Sequence, residues 1–86
     1  MINQYEEFCI YYIEILDTWA GHASEMAVYM DSGEQPPEFL AKEYNRHNFI
    51  LAALRDAARQ LYRKEPSQIM LDGERFIQER KRGKKK

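Results

Sequence analysis

The segment 31-DSGEQPP-37 separates the two longest stretches of helical apolar periodicity in this 86-residue chain. Gly33 suits the left-handed residue that ends a helix, and Pro36 or Pro37 suits the first turn of the next helix. The break predicts one helix over residues 3–30 and a second over residues 37–63. A short loop between two helices of similar length favours an antiparallel hairpin.

Apolar residues on both sides of the break recur at three- and four-residue steps, which is the period of an amphipathic helix. Asn3 can cap the first helix, with Glu6 three residues later in a capping-box arrangement. The stripe on the first helix consists of Tyr5, Phe8, Tyr12, Ile15, Trp19, Met26 and Met30. The stripe on the second consists of Leu40, Tyr44, Ile50, Leu51, Leu54, Ala58 and Leu61.

The remaining residues predict a short third helix and a basic tail. Pro66 ends the second helix, because the residue before a proline disfavours the helical conformation. Residues 67–82 then form the third helix, and the dipeptide at Asp72 and Gly73 leaves its continuity open. We expect one helical domain over residues 1–79 and a flexible basic segment over residues 80–86.

Chain length and composition predict an all-α homodimer. A domain of this size buries only about 60% of the surface of its unfolded chain, so an additional source of core is expected. One cysteine excludes an internal disulfide, and eleven aromatic residues exceed what a hairpin and a short helix bury. We therefore expect two hairpins to share one core as a dimeric helical bundle. The single thiol favours the cytoplasm.

Charge is divided unequally along the chain. Residues 1–41 contain eight acids and no Lys or Arg, whereas residues 42–86 contain thirteen cations and six acids. In an antiparallel hairpin centred on the break, residue n of the first helix faces roughly residue 68 − n of the second. That register predicts pairs of Arg55 with Glu14, of Arg59 and Arg63 with Glu6 and Glu7, and of Lys42 with Glu25.

The same register brings four potential metal ligands together. They are His22 and Glu25 on the first helix and Glu43 and His47 on the second. Two imidazoles and two carboxylates on facing helices could bind a divalent metal ion. The alternative, which we favour, is that Glu43 and His47 form a hydrogen-bonded pair that fixes the helix register. We accordingly expect no metal and no other cofactor.

Catalytic patterns are lacking in the sequence. It contains no phosphate-binding glycine loop, no G-x-S-x-G and no H-E-x-x-H. Cys9 lies on the apolar stripe, where a cysteine usually serves as a small buried hydrophobe. The longest apolar run, 8-FCIYYI-13, is too short to span a membrane. We therefore expect neither an enzyme nor a membrane protein.

The acidic side of the first helix is the expected partner surface. It mixes carboxylates with tyrosines and an aliphatic anchor, as protein interfaces do, and consists of Glu7, Ile10, Tyr11, Glu14, Glu25 and Tyr29. The protein would then be a non-catalytic regulatory or inhibitory factor, of the kind that phages and other mobile elements encode. An extended acidic surface could also occupy the basic groove of a nucleic-acid-handling enzyme.

Two alternatives remain open from the sequence. The basic terminus can neutralise phosphates without reading bases, through Arg80, Lys81, Arg82, Lys84, Lys85 and Lys86. The protein would then be a nucleic-acid-associated helical dimer. A structural role, as a scaffold-like assembly protein, is the second alternative.

Overall fold

A computed structural model of the protein describes residues 3–84, which form three α-helices. They are α1 (Gln4–Ser32), α2 (Glu38–Leu61) and α3 (Pro66–Lys84). No β-strand occurs between residues 3 and 84. The all-α prediction is therefore confirmed. In this part of the chain, no helix is both long enough and apolar enough to cross a bilayer.

The ends of α1 follow local sequence signals. The Asn3 side chain accepts hydrogen bonds from the backbone amides of Tyr5, at 3.0 Å, and Glu6, at 3.4 Å. At the other end, Gly33 has a φ of 76°, in the left-handed region that a residue without a Cβ atom adopts at little cost. The next amide, that of Glu34, donates to the carbonyl of Tyr29 at 3.1 Å. The Asn3 cap and the Gly33 break therefore lie where the sequence predicts them, but α1 ends at Ser32 instead of residue 30, and Pro37 is the N-cap of α2 instead of lying in its first turn.

The end of α2 comes two residues before the predicted one. Arg63 has a φ of 57°, a left-handed conformation that a helix cannot continue through. The amides of Tyr62 and Lys64 both donate to the carbonyl of Ala58, at 3.2 and 3.1 Å, which closes the last turn. The chain then turns into α3, with Pro66 as its first residue. Proline suits that position because the first helical amides need no intrahelical partner.

The third helix is longer than the sequence predicts. It runs without interruption through Asp72 and Gly73 and continues to Lys84. Residues 80–84 are helical, where the sequence predicts a flexible segment from residue 80 onward. Residues 85 and 86 of that segment lie outside the described part of the chain.

Contacts between α1 and α2 follow a regular order. Tyr5 packs on Tyr62 with ring centroids 5.0 Å apart. The Nε of Arg55 donates to the hydroxyl of Tyr12 at 3.3 Å, and the Nε1 of Trp19 donates to Oδ1 of Asn48 at 2.6 Å. The two residue numbers in each of these contacts add up to 67, one less than the predicted sum. This order is compatible with an antiparallel pairing of the two helices.

The predicted ion pairs between α1 and α2 do not form. Lys42 instead binds Glu38 at 3.1 Å, one turn earlier on the same helix, and Arg59 binds Glu65 at 3.4 Å. Within residues 3–84, no ion pair joins α1 to α2; the ion pairs that hold α1 come from Arg80 of α3. For Glu6 and Glu7 the prediction failed because it left out α3 as a neighbour of α1, whereas Glu14 and Glu25 form no ion pair within residues 3–84.

The core lies at the first half of α1, where all three helices meet. Its fully or almost fully buried residues are Cys9, Tyr12, Leu51, Ala58 and Ile69. Partly buried apolar side chains surround it, among them Phe8, Trp19, Leu54 and Phe76. Among the described residues of α1, none after Ile13 is buried. The molecule therefore has a packed three-helix end and a thinner end formed by the second half of α1 with the start of α2.

Candidate functional site

The predicted acidic surface of α1 is partly neutralised by α3. The guanidinium of Arg80 binds Oε2 of Glu6 through Nε at 3.0 Å and through Nη2 at 2.8 Å. Its Nη2 also donates to Oε1 of Glu7. The hydrogen bonds to Glu7 and Glu6 raise the pKa of this guanidinium above its ordinary value. Glu7 and Arg80, predicted for two different binding surfaces, are thus partners of each other.

Ile10 does not belong to the exposed surface that the sequence predicts. It retains only 8% of its accessible area, because α1 is covered on two sides rather than one. Tyr11 is 46% exposed, Glu14 and Glu25 are exposed, and Tyr29 is half-buried. We call the exposed part of this surface, Tyr11, Glu14 and Glu25, the acidic face.

A second surface, which the sequence analysis missed, lies on the outside of α2. The Phe49 side chain is 78% exposed and lines an open groove together with Asn45, Asn48 and Ala52. Phe39, one residue into the same helix, is 74% exposed. We call the residues around Phe49 the α2 groove. The sequence did contain an indication of this surface. Phe49 lies off the apolar stripe of α2, so no other predicted helix of the chain was expected to cover its side chain.

A partly buried polar network centred on Asp72 joins α1 to α3 beside the core. The hydroxyl of Tyr5 donates to Oδ2 of Asp72, and Nε2 of Gln68 donates to Oδ1 of the same carboxylate at 2.9 Å. The hydrogen bond from Tyr5 holds the pKa of Asp72 below its ordinary value, while burial raises the pKa of Tyr5. Burial also raises the pKa of the Cys9 thiol, which favours its protonated, unreactive form. These groups serve the packing of α1 against α3.

Three of the four predicted metal ligands meet between α1 and α2. His22, Glu43 and His47 each place one ligand atom so that the three atoms lie within 4.8 Å of one another. The two imidazole rings are 5.1 Å apart between centroids. Glu25 is exposed and does not join this group, so the predicted four-residue cluster is reduced to three.

Glu43 and His47 are hydrogen-bonded through the backbone oxygen of Glu43 and not through its carboxylate. Nδ1 of His47 lies 3.9 Å from the Glu43 carboxylate, beyond hydrogen-bonding distance. The same nitrogen is 2.8 Å from the backbone oxygen of Glu43. The i, i+4 spacing favours this bond, because it places the ring over the carbonyl of the preceding turn.

The cations predicted for nucleic-acid binding lie in different surroundings. Arg80 is held by the two glutamates of α1. Lys81 and Arg82 are exposed near the end of α3, and the backbone of Lys84 completes that helix. Lys85 and Lys86 lie outside the described residues.

No protein family matches the chain, and no curated protein and no solved structure is significantly similar to it.

Proposed function

We propose that this is a small non-catalytic regulatory or inhibitory protein that acts by protein–protein binding and works as a homodimer of antiparallel α1–α2 hairpins. The observation that supports it best is the exposure of large apolar side chains on a surface otherwise rich in charge. Phe49 is the most exposed of them. An apolar side chain surrounded by polar groups is how the centre of a protein interface is built.

The α2 groove is the proposed contact between two copies. A twofold dimer brings the same surface of both protomers together, so each Phe49 would pack against the partner's groove. Burying a phenylalanine side chain contributes about 1.5–3 kcal/mol, and the contact does so twice. Asn45 and Asn48 would supply hydrogen bonds at its edge. The dimer thereby extends a core that is small in the single chain.

The acidic face is the proposed contact for a different partner. Arg80 offsets one of the two negative charges of Glu6 and Glu7, whereas Glu14 and Glu25 form no ion pair within residues 3–84, so negative charge is concentrated farther along α1. Tyr11 adds an amphipathic side chain to this surface. The complementary partner is a protein with a basic groove, such as an enzyme that handles nucleic acid.

Phe49→Glu should convert the dimer into a monomer at micromolar concentration. The substitution places a charge at the centre of the interface, where it would lose its hydration without gaining a partner. Light scattering coupled to size-exclusion chromatography measures the mass directly. Helical circular dichroism should remain unchanged, because the Phe49 side chain makes little contact within its own chain.

Gln60→Glu is the matched control for this experiment. It adds the same charge to an exposed position of α2 outside the groove, and its product should remain dimeric. A wild-type protein that is monomeric throughout the micromolar range would refute the homodimer. A dimer that Phe49→Glu leaves intact would refute this contact surface.

The end of α3 supports a second candidate function, nucleic-acid binding. Lys81 and Arg82 are exposed on a helix that fixes their spacing. Each phosphate contact that is lost should lower the slope of log Kd against log salt by about 0.9 for duplex DNA. The double variant Lys81→Ala, Arg82→Ala should therefore reduce the slope by about 2, as measured by fluorescence anisotropy.

Lys42→Ala is the control for this second candidate, because it removes an exposed lysine from another helix. It should leave the salt dependence unchanged. Absence of binding to duplex or single-stranded nucleic acid at low salt would eliminate the candidate. Equal losses in both variants would show that binding is diffuse and does not use the end of α3.

A further inference from the structure

The group of His22, Glu43 and His47 lies at the thinner end of the molecule. It joins the second half of α1 to the first half of α2, and no buried residue of α1 lies on that half. Glu43 and His47 are one turn apart on the same face of α2, and their side chains are 26% and 12% exposed. Three side chains with metal-binding atoms therefore meet in a partly dehydrated place.

The hydrogen bond of His47 leaves one ring nitrogen ready to bind a metal. Its Nδ1 lies 2.8 Å from the backbone oxygen of Glu43, and a carbonyl oxygen can only accept a hydrogen bond. Nδ1 therefore carries the proton, and Nε2 keeps a free lone pair. Histidine ligands of metals typically donate their other ring N–H to a carbonyl or carboxylate in this way, which fixes the tautomer and the ring orientation.

His22 supplies a second, independent observation. Its Nδ1 is buried and has no hydrogen-bond partner among the described residues. It is the only side-chain nitrogen or oxygen in that part of the chain with this property. Buried polar atoms in native proteins nearly always have partners, and an exception needs an explanation. Its ring lies beside that of His47, with the two ring planes tilted by 59°.

We propose that His22, Glu43 and His47 bind a divalent transition-metal ion, with Zn²⁺ as the preferred ion. Two imidazole nitrogens and one carboxylate oxygen suit Zn²⁺ far better than Mg²⁺ or Ca²⁺, which prefer oxygen ligands alone. Three protein ligands leave one tetrahedral position for water. The ion would hold α1 and α2 together at the end where packing is weakest, and the site does not depend on the dimer.

The arrangement requires only a small adjustment of side chains. Tetrahedral bonds of about 2.1 Å place ligand atoms roughly 3.4 Å apart, compared with the spread of up to 4.8 Å in this group. The ligand atoms would therefore have to move together by up to about 1.4 Å (4.8 − 3.4) to bind one ion. Arg46 competes only weakly for that carboxylate, through a contact of 3.8 Å to Oε1 from a largely exposed guanidinium.

Thermal unfolding of the tag-free full chain with added ZnCl₂ tests the proposal. At a Zn²⁺ concentration about a hundredfold above Kd, an ion that binds only the folded chain should raise the Tm by about 15 °C. MgCl₂ at the same concentration should leave the Tm unchanged. Calorimetric titration should give one Zn²⁺ per chain, and Co²⁺ should produce the visible absorption of a tetrahedral site.

His22→Gln, His47→Gln and Glu43→Gln should each abolish or strongly reduce the Zn²⁺-dependent Tm shift. The matched control is Glu25→Gln, which removes a carboxylate one turn from His22 that lies outside the group. It should keep the full shift. Should either histidine variant fail to fold, Glu43→Gln and the Co²⁺ spectrum of the wild-type protein still decide the matter.

Either of two results would overturn the site. One is a wild-type Tm that ZnCl₂ does not raise, together with no calorimetric binding. The other is a Tm shift of equal size in the wild-type protein and in the His22 and Glu43 variants, because the ion would then bind elsewhere.

Discussion

Gly73→Ala should lower the free energy of unfolding by about 2 kcal/mol, whereas Gly21→Ala should raise it by up to about 1 kcal/mol. A Cβ atom at position 73 would lie 2.7 Å from Cγ1 of Ile13 and 2.8 Å from the backbone oxygen of Cys9. Such overpacking typically costs 1–3 kcal/mol, and here part of it falls on backbone that cannot move aside. At Gly21, a Cβ atom meets nothing within 4 Å.

The two substitutions are expected to change the free energy of unfolding in opposite directions, so comparing them tests the contact at Gly73 directly. Both glycines lie inside helices with negative φ, so both substitutions gain the same helix propensity, about 0.5–1 kcal/mol. The difference between them isolates the close approach of α3 to α1. Urea unfolding followed by circular dichroism measures both free energies. Equal effects at the two positions would mean that α3 does not cross α1 at Gly73.

Asp72→Ala should lower the free energy of unfolding by about 2 kcal/mol at neutral pH. Its carboxylate accepts hydrogen bonds from the Tyr5 hydroxyl and the Gln68 amide, and its residue is only 8% exposed. Hydrogen bonds to a charged group contribute about 1.5–3 kcal/mol, and removal leaves the partly buried Tyr5 hydroxyl without this acceptor. The helix propensity of alanine offsets a small part of this loss.

The same carboxylate should make stability depend on pH in the acid range. Its pKa in the folded chain is lowered, chiefly by the hydrogen bond from Tyr5, below the value of about 3.9 for an unfolded aspartate. The folded chain therefore binds the proton less tightly than the unfolded chain. The stabilisation is fully present above about pH 4 and is lost as the pH falls through the folded-state pKa.

Comparison of variants separates Asp72 from the other carboxylates that titrate in this range. Asp72→Asn removes the titrating group but retains one acceptor, so its free energy of unfolding should fall less than that of the wild-type protein below about pH 4. Asp56→Asn removes an exposed aspartate of α2 and should follow the wild-type curve. Parallel curves for the wild-type protein and Asp72→Asn would contradict the role of this network.

Local signals in the sequence predicted approximately where the helices lie, but they did not predict how α3 packs against α1. Asn3, Gly33 and the prolines after it act through the conformation of their own few residues, so their effects can be predicted without the rest of the fold. Glycine often breaks helices, but Gly73 lies within α3 and allows close contact with α1, about sixty residues earlier in the sequence. Its function depends on which helix crosses there, and that information is not local.

The candidate site was also predicted only in part, because contacts with α3 are not local in the sequence. The predicted register placed His22 near His47, and their rings lie 5.1 Å apart, because both residues belong to the two helices that the register describes. The same two-helix reasoning predicted that Ile10 lies on an exposed surface and that Glu7 pairs with α2. Both predictions were wrong because α3 covers a side of α1 that two helices alone would leave open. Arg80 reaches Glu6 across 74 positions of sequence. Periodicity along one helix cannot reveal such a contact.

The uneven distribution of buried residues along α1 has a consequence for motion. Local opening costs the least free energy where few apolar contacts are broken, and the half of α1 beyond Ile13 contains no buried residue. Ile15, Leu16 and Trp19 still pack against the core, so we expect the part of α1 beyond Trp19, together with the loop at Gly33, to open more readily than the three-helix end. Anything that binds there selects the closed form from this equilibrium, so binding and local folding are one event, and part of the binding energy is used to order the chain.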